Sequence, residues 1–225
     1  MAEGTKAKAR KACGIYKLFW IFLLWSIVGD FVETVFCRIT MGVWMSRSSL
    51  VLGRFSVVWG IGAVILTASL YRLRSRGRFA LFLGGVLLGG FYEYMCSLMA
   101  ELILGVTFWD YSALPLNIQG RINLPYCMLW GLVAVIWVGK LYPVLSGLID
   151  RFPLRGGRVL GGVLAVFMLL NMALSAAALL RSVQRRNYGE EMTVKNRYEE
   201  FLDTYFPDER LQEIYPKMKQ AGVVK

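Results

Sequence analysis

The chain has 225 residues, 56% of them hydrophobic, a formal net charge of +11 and a mean hydropathy of +0.50. Soluble domains rarely combine this apolar content with long unbroken apolar runs. The sequence contains no histidine, which excludes Ser-His-Asp catalysis, HExxH zinc sites and histidine-ligated haem.

Five apolar runs approach or exceed the roughly 20 residues that span a bilayer. They lie near residues 18–37, 55–71, 79–106, 122–149 and 159–180. We expect the first run to be retained rather than cleaved as a secretory signal, because it is long, contains Asp30 and Glu33, and lacks a small-residue cleavage pattern. The sequence therefore predicts an all-α integral membrane protein with about five transmembrane helices.

Basic residues cluster beside the ends of these runs. The clusters lie in residues 6–17, 72–78 and 151–158. This placement is typical of orientation signals rather than of a nucleic-acid-binding surface, and predicts a cytoplasmic N-terminus. The 41–53 and 106–121 loops then lie outside. Five spans would also place the C-terminal tail outside, which conflicts with Arg181, Arg185 and Arg186 directly after the fifth run.

The composition divides the chain into five parts. These are a basic N-terminal arm (1–17), a first two-helix repeat (18–78), a second two-helix repeat (79–149), a fifth transmembrane helix (150–180) and a polar helical tail (181–225). Within the tail, residues 198–202 and 208–215 read as short amphipathic helices, with Pro207 at the start of the second and Pro216 at its end. We expect them to lie on the membrane surface or to dock on the helices.

The repeat rests on landmarks that recur in the same order. Gly29, Glu33, Gly42, Gly53-Arg54 and Trp59-Gly60 correspond to Gly89, Glu93, Gly105, Gly120-Arg121 and Trp130-Gly131. Since each copy holds two spans, both copies should enter the membrane with the same orientation. Glu33 and Glu93 would then face one another and share a proton, as two carboxyls in a poorly hydrated site tend to do. This arrangement suggests a proton-coupled or cation-binding site.

The third run carries the clearest helical pattern. Gly85, Gly89, Glu93, Ser97 and Glu101 form one row at four-residue spacing, on which the glycines allow close approach of a neighbouring helix. A charged group at membrane depth costs about 2.5–3.5 kcal/mol, so these acids need a partner or a purpose. Arg54 and Arg121 are the expected partners. Each glutamate is interpreted equally well as a buried hydrogen-bonding residue that fixes helix packing or as part of a binding site.

The loop after this run is dense in polar side chains. Asp110, Ser112, Asn117, Gln119 and Arg121 favour a polar cap over a pocket, whereas the aromatic residues 108, 109 and 111 are also typical of an interfacial belt. The candidate substrate- or ion-binding residues are Glu33, Glu93, Glu101, Arg54, Asp110, Asn117 and Arg121. We expect no catalytic residue, cofactor or metal. The four cysteines have no CxxC spacing and are expected to be small buried hydrophobic residues.

Several of these motifs resemble a known family. Glu93-Tyr94, Glu101, residues 109–112, Asn117, residues 120–122 and Trp130-Gly131, with Tyr205–Arg210 and Tyr215-Pro216 in the tail, are similar to the CmpB-like family of bacterial type IV ABC-transporter permeases. The first repeat departs from the family pattern. Residues 47–54 read RSSLVLGR, whereas the family pattern there is similar to Arg-Gly-x-Leu-x-Gly-Pro, so Arg54 stands where proline is usual. The resemblance implies a permease in a bacterial cytoplasmic membrane. No GxxxxGK[ST] loop occurs, so ATP hydrolysis would require a separate ATPase subunit, for which the arginine-rich 72–78 loop is a candidate contact.

Three functions remain open on the sequence. The first is a transporter or permease subunit with a polar site between the repeats. The second is an intramembrane enzyme acting on a lipid or isoprenoid head group, with Glu93 or Asp110 as general base and Arg54 and Arg121 holding phosphate. The third is a non-catalytic membrane scaffold or regulator. The expected partners include membrane lipids, and the glycine rows allow a homodimer as well as internal packing.

Overall fold

The computed structural model describes residues 14–151, 153–189 and 196–221. Within these residues, five helical segments are long and apolar enough to cross a membrane, by length and composition. They are Ile15–Met41, Val57–Arg76, Arg78–Leu104, Leu124–Arg151 and Arg155–Tyr188. The prediction of an all-α membrane protein with five spans is confirmed. The basic residues Lys6, Lys8, Arg10 and Lys11 lie outside the described residues.

The helices are α1 (Ile15–Met41), α2 (Val57–Leu70), α3 (Arg78–Met99), α4 (Leu124–Ile136), α5 (Tyr142–Arg151), α6 (Leu154–Tyr188), α7 (Arg197–Tyr205) and α8 (Asp208–Ile214). Four two-residue strands are β1 (Val106–Thr107), β2 (Asn117–Ile118), β3 (Ile122–Asn123) and β4 (Lys219–Gln220). β1 pairs with β4 and β2 with β3, both antiparallel. These short pairs organise the loops at one end of the molecule.

Glycines set the two closest helix contacts. A Cβ added at Gly85 would lie 2.4 Å from the Cβ of Ala134, and one at Gly89 would lie 2.4 Å from the Cβ of Trp130, so α3 and α4 touch along the predicted row. A Cβ at Gly29 would lie 2.2 Å from that of Trp59, which brings α1 against α2 in a similar way. Only a glycine leaves room for these rings without moving a helix backbone.

Two π-helical turns interrupt the long spans. One covers Ala100–Leu104 at the end of α3, and Gly105 then ends the segment with a φ of 66°. The other covers Trp137–Leu141, just before Pro143, and joins α4 to α5. A proline lacks the N–H that a regular α-helix needs, and the wider turn before it accommodates this loss.

The tail lies at the same end of the molecule as the 42–56 and 105–123 loops. The β1–β4 pair joins it to the second loop, and the hydroxyl of Tyr215 donates to the carbonyl of Ser49 in the first loop at 3.1 Å. At the opposite end, Nζ of Lys17 in α1 donates to Asp150 of α5 at 2.6 Å. The N-terminus of α1 and the tail are thus at opposite ends, the arrangement expected for five crossings.

The fifth span was predicted to end near residue 180, but α6 continues to Tyr188. Its last turns carry Arg181 and Arg185, which form ion pairs with Asp203 at 2.6 Å in each case. Arg185 also pairs with Asp208 at 2.6 Å. These arginines are thus paired with tail carboxylates and hold the tail against α6.

Candidate functional site

Glu33 and Glu93 are each bound by a tryptophan of the neighbouring helix. Nε1 of Trp59 in α2 donates to Oε2 of Glu33 in α1 at 3.0 Å. Nε1 of Trp130 in α4 donates to Oε2 of Glu93 in α3, also at 3.0 Å. Each tryptophan packs over the glycine four residues before its glutamate, so the glycine sets the approach that the hydrogen bond needs. The two indole rings lie 6.1 Å apart. The two glutamate sites therefore meet where α1 and α2 contact α3 and α4.

Glu33 has a cationic partner. Nε of Arg47, in the loop between α1 and α2, donates to Oε1 of Glu33 at 2.7 Å, and the guanidinium makes a second, shorter bond to the same oxygen. The side chains are 16% and 24% exposed for Arg47 and Glu33, so the pair is largely shielded from solvent. We expected Arg54 to take this position, and that expectation is wrong. Gly53, with a φ of 77°, redirects the chain there and Arg54 reaches a different acid.

Arg54 pairs with Asp30, whose Oδ2 lies 3.1 Å from Nε of Arg54. Its guanidinium also donates to the hydroxyl of Thr34 at 3.2 Å. Asp30 is only 2% exposed. The sequence analysis noted Asp30 inside the first apolar run but did not select it as a site residue. The available signal was an acidic residue inside an apolar run, which is costly without a partner.

Glu93 differs from Glu33 in its donors. The hydroxyl of Tyr111, from the loop between α3 and α4, donates to Oε1 of Glu93 at 2.8 Å, and Trp130 occupies the other oxygen. Glu93 is 8% exposed. Burial, with the Glu93 carboxyl beside it, raises the pKa of Tyr111 above its ordinary value, so the phenol keeps its proton. Both donors to Glu93 are thus neutral.

Glu101 and Arg121 form the pair that we expected. The Arg121 guanidinium lies 2.5 Å from Oε2 of Glu101 and donates to the hydroxyl of Ser97 at 3.2 Å. The Cζ atom of Arg121 also lies 5.8 Å from the centre of the Tyr94 ring. Arg121 therefore bridges Ser97 on α3 and Glu101 in the π-turn that follows, beyond Glu93 in the direction of the loop.

Asp110 and Asn117 hold the loop itself. Oδ1 of Asp110 accepts from the backbone N–H of Ser112 at 2.9 Å and from its hydroxyl at 2.6 Å, which lowers the pKa of Asp110. Nδ2 of Asn117 donates to the carbonyl of Leu114 at 2.7 Å, and its Oδ1 accepts from Gly120 at 3.0 Å. The structure places both side chains in turns of the exposed loop, not beside Glu93.

Space between the helices is small at this level. An apolar cavity of about 20 Å³ is lined by Trp25, Trp59, Ala63, Leu66, Trp130, Val133 and Trp137. The cavity has room for about one water molecule. Across the described ranges, no three His, Cys, Asp or Glu residues are placed so that they could hold a metal ion.

A family model described as "Putative ABC-transporter type IV" matches residues 20–176, which is more than half of the chain. The chain belongs to this family. The match begins in α1 and ends within α6. It therefore includes Glu33 and Glu93, their partners Trp59 and Trp130, and the loop that carries Tyr111. No curated protein and no solved structure matches the chain. Membership in this ABC-transporter type IV family shows a multi-pass membrane protein related to ABC transporters.

Of the candidates selected from the sequence of this family member, Glu33 and Glu93 come together at the tryptophan pair, and Glu101 meets Arg121 nearby. Arg54, Asp110 and Asn117 lie in separate contacts. The sequence analysis did not select the donors Arg47, Tyr111, Trp59 and Trp130. For Trp59 and Trp130, the signal was the recurrence of a Trp-Gly pair at corresponding positions of the two predicted repeats. Arg47 carried no comparable signal, because its reach depends on the path of an irregular loop.

Proposed function

We propose that this protein is the membrane-embedded permease subunit of a transporter, with its polar site where Glu33 and Glu93 flank the Trp59 and Trp130 rings. One observation carries the proposal: the same glutamate–tryptophan hydrogen bond joins α1 to α2 and α3 to α4, and the centres of the two indole rings lie 6.1 Å apart. Polar groups that converge at the contact between two helical units mark the usual location of a transported solute in repeat-built transporters.

The charge balance of the site favours a cationic or proton-coupled solute over an anion. Asp30, Glu33 and Glu101 each have an arginine partner. Glu93 is bound by two neutral donors. If all four acids are ionised, the site has one excess negative charge. Acids inside a membrane commonly mark solute or proton pathways for this reason.

The energy source would be a separate ATPase subunit, since the sequence contains no phosphate-binding GxxxxGK[ST] loop. Arg72, Arg74, Arg76 and Arg78 are exposed at the turn between α2 and α3, on the end that the positive-inside rule assigns to the cytoplasm. We assign this surface to the ATPase contact, in a bacterial cytoplasmic membrane with the N-terminus inside.

The alternative of a lipid-modifying enzyme is less well supported. A general base needs a pKa near the working pH, and the bonds from Ser112 lower the pKa of Asp110 instead. Arg54 and Arg121, the proposed phosphate ligands, are each bound to a different acid.

Native mass spectrometry of the protein, gently extracted from its own membrane, tests the permease proposal. We expect a small molecule to be retained by the wild type and by Glu209→Gln, an exposed tail control, and to be lost from Glu33→Gln and Glu93→Gln. The retained molecule is then labelled and its accumulation measured in vesicles of the same membrane, with and without ATP. Accumulation that is unchanged by removing the protein would contradict the proposal.

A further inference from the structure

We propose that Glu93 is a proton-exchange site, which takes up and releases one proton on the side of the molecule where Tyr111 lies, while Glu33 serves as the ion-pair partner of Arg47. The proposal deepens the permease function and rests on it only for the use that is made of the proton. The protonation itself can be measured without any transport.

The donors around Glu33 require a carboxylate. A guanidinium and an indole N–H only donate, and neither can accept a hydrogen bond. Arg47 and Trp59 supply these groups to the two oxygens of Glu33. A protonated Glu33 would point an O–H at a donor and leave the arginine without its counter-charge. The donors of this site therefore match the two oxygens of a carboxylate.

The donors around Glu93 accommodate both states. The hydroxyl of Tyr111 can donate to a carboxylate and can also accept from a carboxylic acid. When a proton binds to Oε1, the new O–H donates to the Tyr111 oxygen, and the bond from Trp130 to Oε2 is kept. One proton enters from solvent, no other covalent bond changes, and neither tyrosine nor tryptophan has to move away.

In the part of the chain that the structure describes, the titratable groups beside Glu93 supply no positive charge. They are Glu33 on α1, Cys96 on α3, Tyr111 in the loop and Cys127 on α4, while α2 contributes the indole of Trp59. Arg121, in the loop between β2 and β3, is bound to Glu101 and Ser97. Glu93 is only 8% exposed, and among the described residues no cation compensates its carboxylate, so a proton fills that role.

Tyr111, which connects Glu93 to the loop between α3 and α4, is held in place by that loop and by α4. Its backbone N–H donates to the carbonyl of Gly120 at 2.7 Å, and its ring stacks on Tyr126 with centroids 4.9 Å apart. Gly120 is required there, because a Cβ would lie 2.3 Å from the hydroxyl oxygen of Ser112. Tyr111 is half-buried and Glu93 is buried, so the phenol lies between the acid and the loop surface.

Infrared difference spectroscopy of the full chain in lipid nanodiscs tests the proposal. A protonated carboxylic acid has a C=O stretching band that a carboxylate lacks. We expect a band that appears and disappears reversibly with pH in the wild type, persists in Glu33→Gln and is lost in Glu93→Gln. A band that is absent, that does not change with pH, or that is lost in Glu33→Gln instead would overturn the assignment.

A second pair of variants leaves Glu93 in place, and so does not depend on the folding of Glu93→Gln. Tyr111→Phe removes the hydroxyl and keeps the stacked ring, and should move the titration midpoint by about one pH unit, because a hydrogen bond to a charged group is lost. Tyr126→Phe keeps the ring stack and should leave the midpoint unchanged. Equal midpoints in both variants would exclude Tyr111 as the exchange partner. A titrating band in vesicles that show no solute accumulation would refute the permease function alone.

Discussion

The centres of the Trp59 and Trp130 indole rings lie 6.1 Å apart, and each ring donates its N–H at 3.0 Å, Trp59 to Glu33 and Trp130 to Glu93. The ring contact joins the α1–α2 pair to the α3–α4 pair through the same residues that bind the two acids. A change at either ring should therefore affect both the packing of the two helix pairs and the hydrogen bonding of the glutamate.

Replacing Trp130 by Phe should reduce the free energy of unfolding by about 1–3 kcal/mol, because Glu93 loses a donor at a buried position. Unfolding of the purified protein in detergent measures the change. Trp44→Phe is the control, since Trp44 is 66% exposed and should tolerate the loss of its indole. Equal stability of the two variants would mean that the Glu93 bond contributes little.

Gly89→Ala should destabilise the contact between α3 and α4 by about 1–3 kcal/mol, as expected for overpacking, since the new Cβ would lie 2.4 Å from the Cβ of Trp130. Gly147→Ala is the matched control in α5, where nothing lies within 4 Å of the added atom. That substitution should stabilise its helix by roughly 0.5–1 kcal/mol. Unfolding of the two variants in detergent measures this difference, and Gly89→Ala should have the lower midpoint. A lower midpoint for Gly147→Ala would contradict the packing of α3 against α4.

Arg47→Met should destabilise the fold by about 1–3 kcal/mol, because Glu33 is left as a shielded charge without its cation. Adding Glu33→Gln to Arg47→Met should restore part of this loss. A double-mutant cycle on unfolding free energies measures the coupling between the two residues. Additive effects of the two substitutions would show that the ion pair is not energetically coupled.

Docking of the tail should weaken in acid. The Arg181 guanidinium, with that of Arg185 beside it, holds the pKa of Asp203 below its ordinary value of 3.8. An acid with a lowered pKa in the folded state contributes stability above its unfolded pKa, and this contribution is lost as the pH falls through the folded value. The protection factors for hydrogen exchange in α7, which correct for the intrinsic pH dependence of exchange, should thus be high at neutral pH and lower below about pH 4.

Asp203→Asn should remove this pH dependence, with fast exchange in α7 already at neutral pH. Glu209→Gln, an exposed change on the same tail, should behave like the wild type. Protection of α7 in Asp203→Asn that matches the wild type would show that the apolar contacts of the tail, rather than its ion pairs, hold it on α6.

The sequence predicts the spans and the glycine contacts because both depend on short, regular patterns. Lipid requires long apolar helices, and a four-residue spacing on a helix determines which side chains share a face. The row of Gly85, Gly89, Glu93 and Ser97 is buried in α3 as that spacing predicts. Glu101 falls in a π-turn instead, and pairs with Arg121 across the loop.

The partners of Glu33 and Asp30 could not be predicted because an irregular loop determines them. Ser48 binds the carbonyls of Leu50 and Gly53, and the N–H of Val51 donates to Ser175 of α6 at 2.9 Å. These bonds fix a path that brings Arg47 to Glu33 and Arg54 to Asp30. No periodic pattern encodes such a path, since it depends on contacts with a helix more than a hundred residues later in the chain.

The pairing of Val106–Thr107 with Lys219–Gln220 has a consequence for the order of biogenesis. The strand that leads into the Tyr111 loop gains its edge only after translation has passed the fifth span and both tail helices. Insertion of the first four spans can thus be complete while Val106 and Thr107 are still without their partner strand. A ribosome-stalled chain that ends before residue 219 would contain the five membrane helices and an unpaired β1.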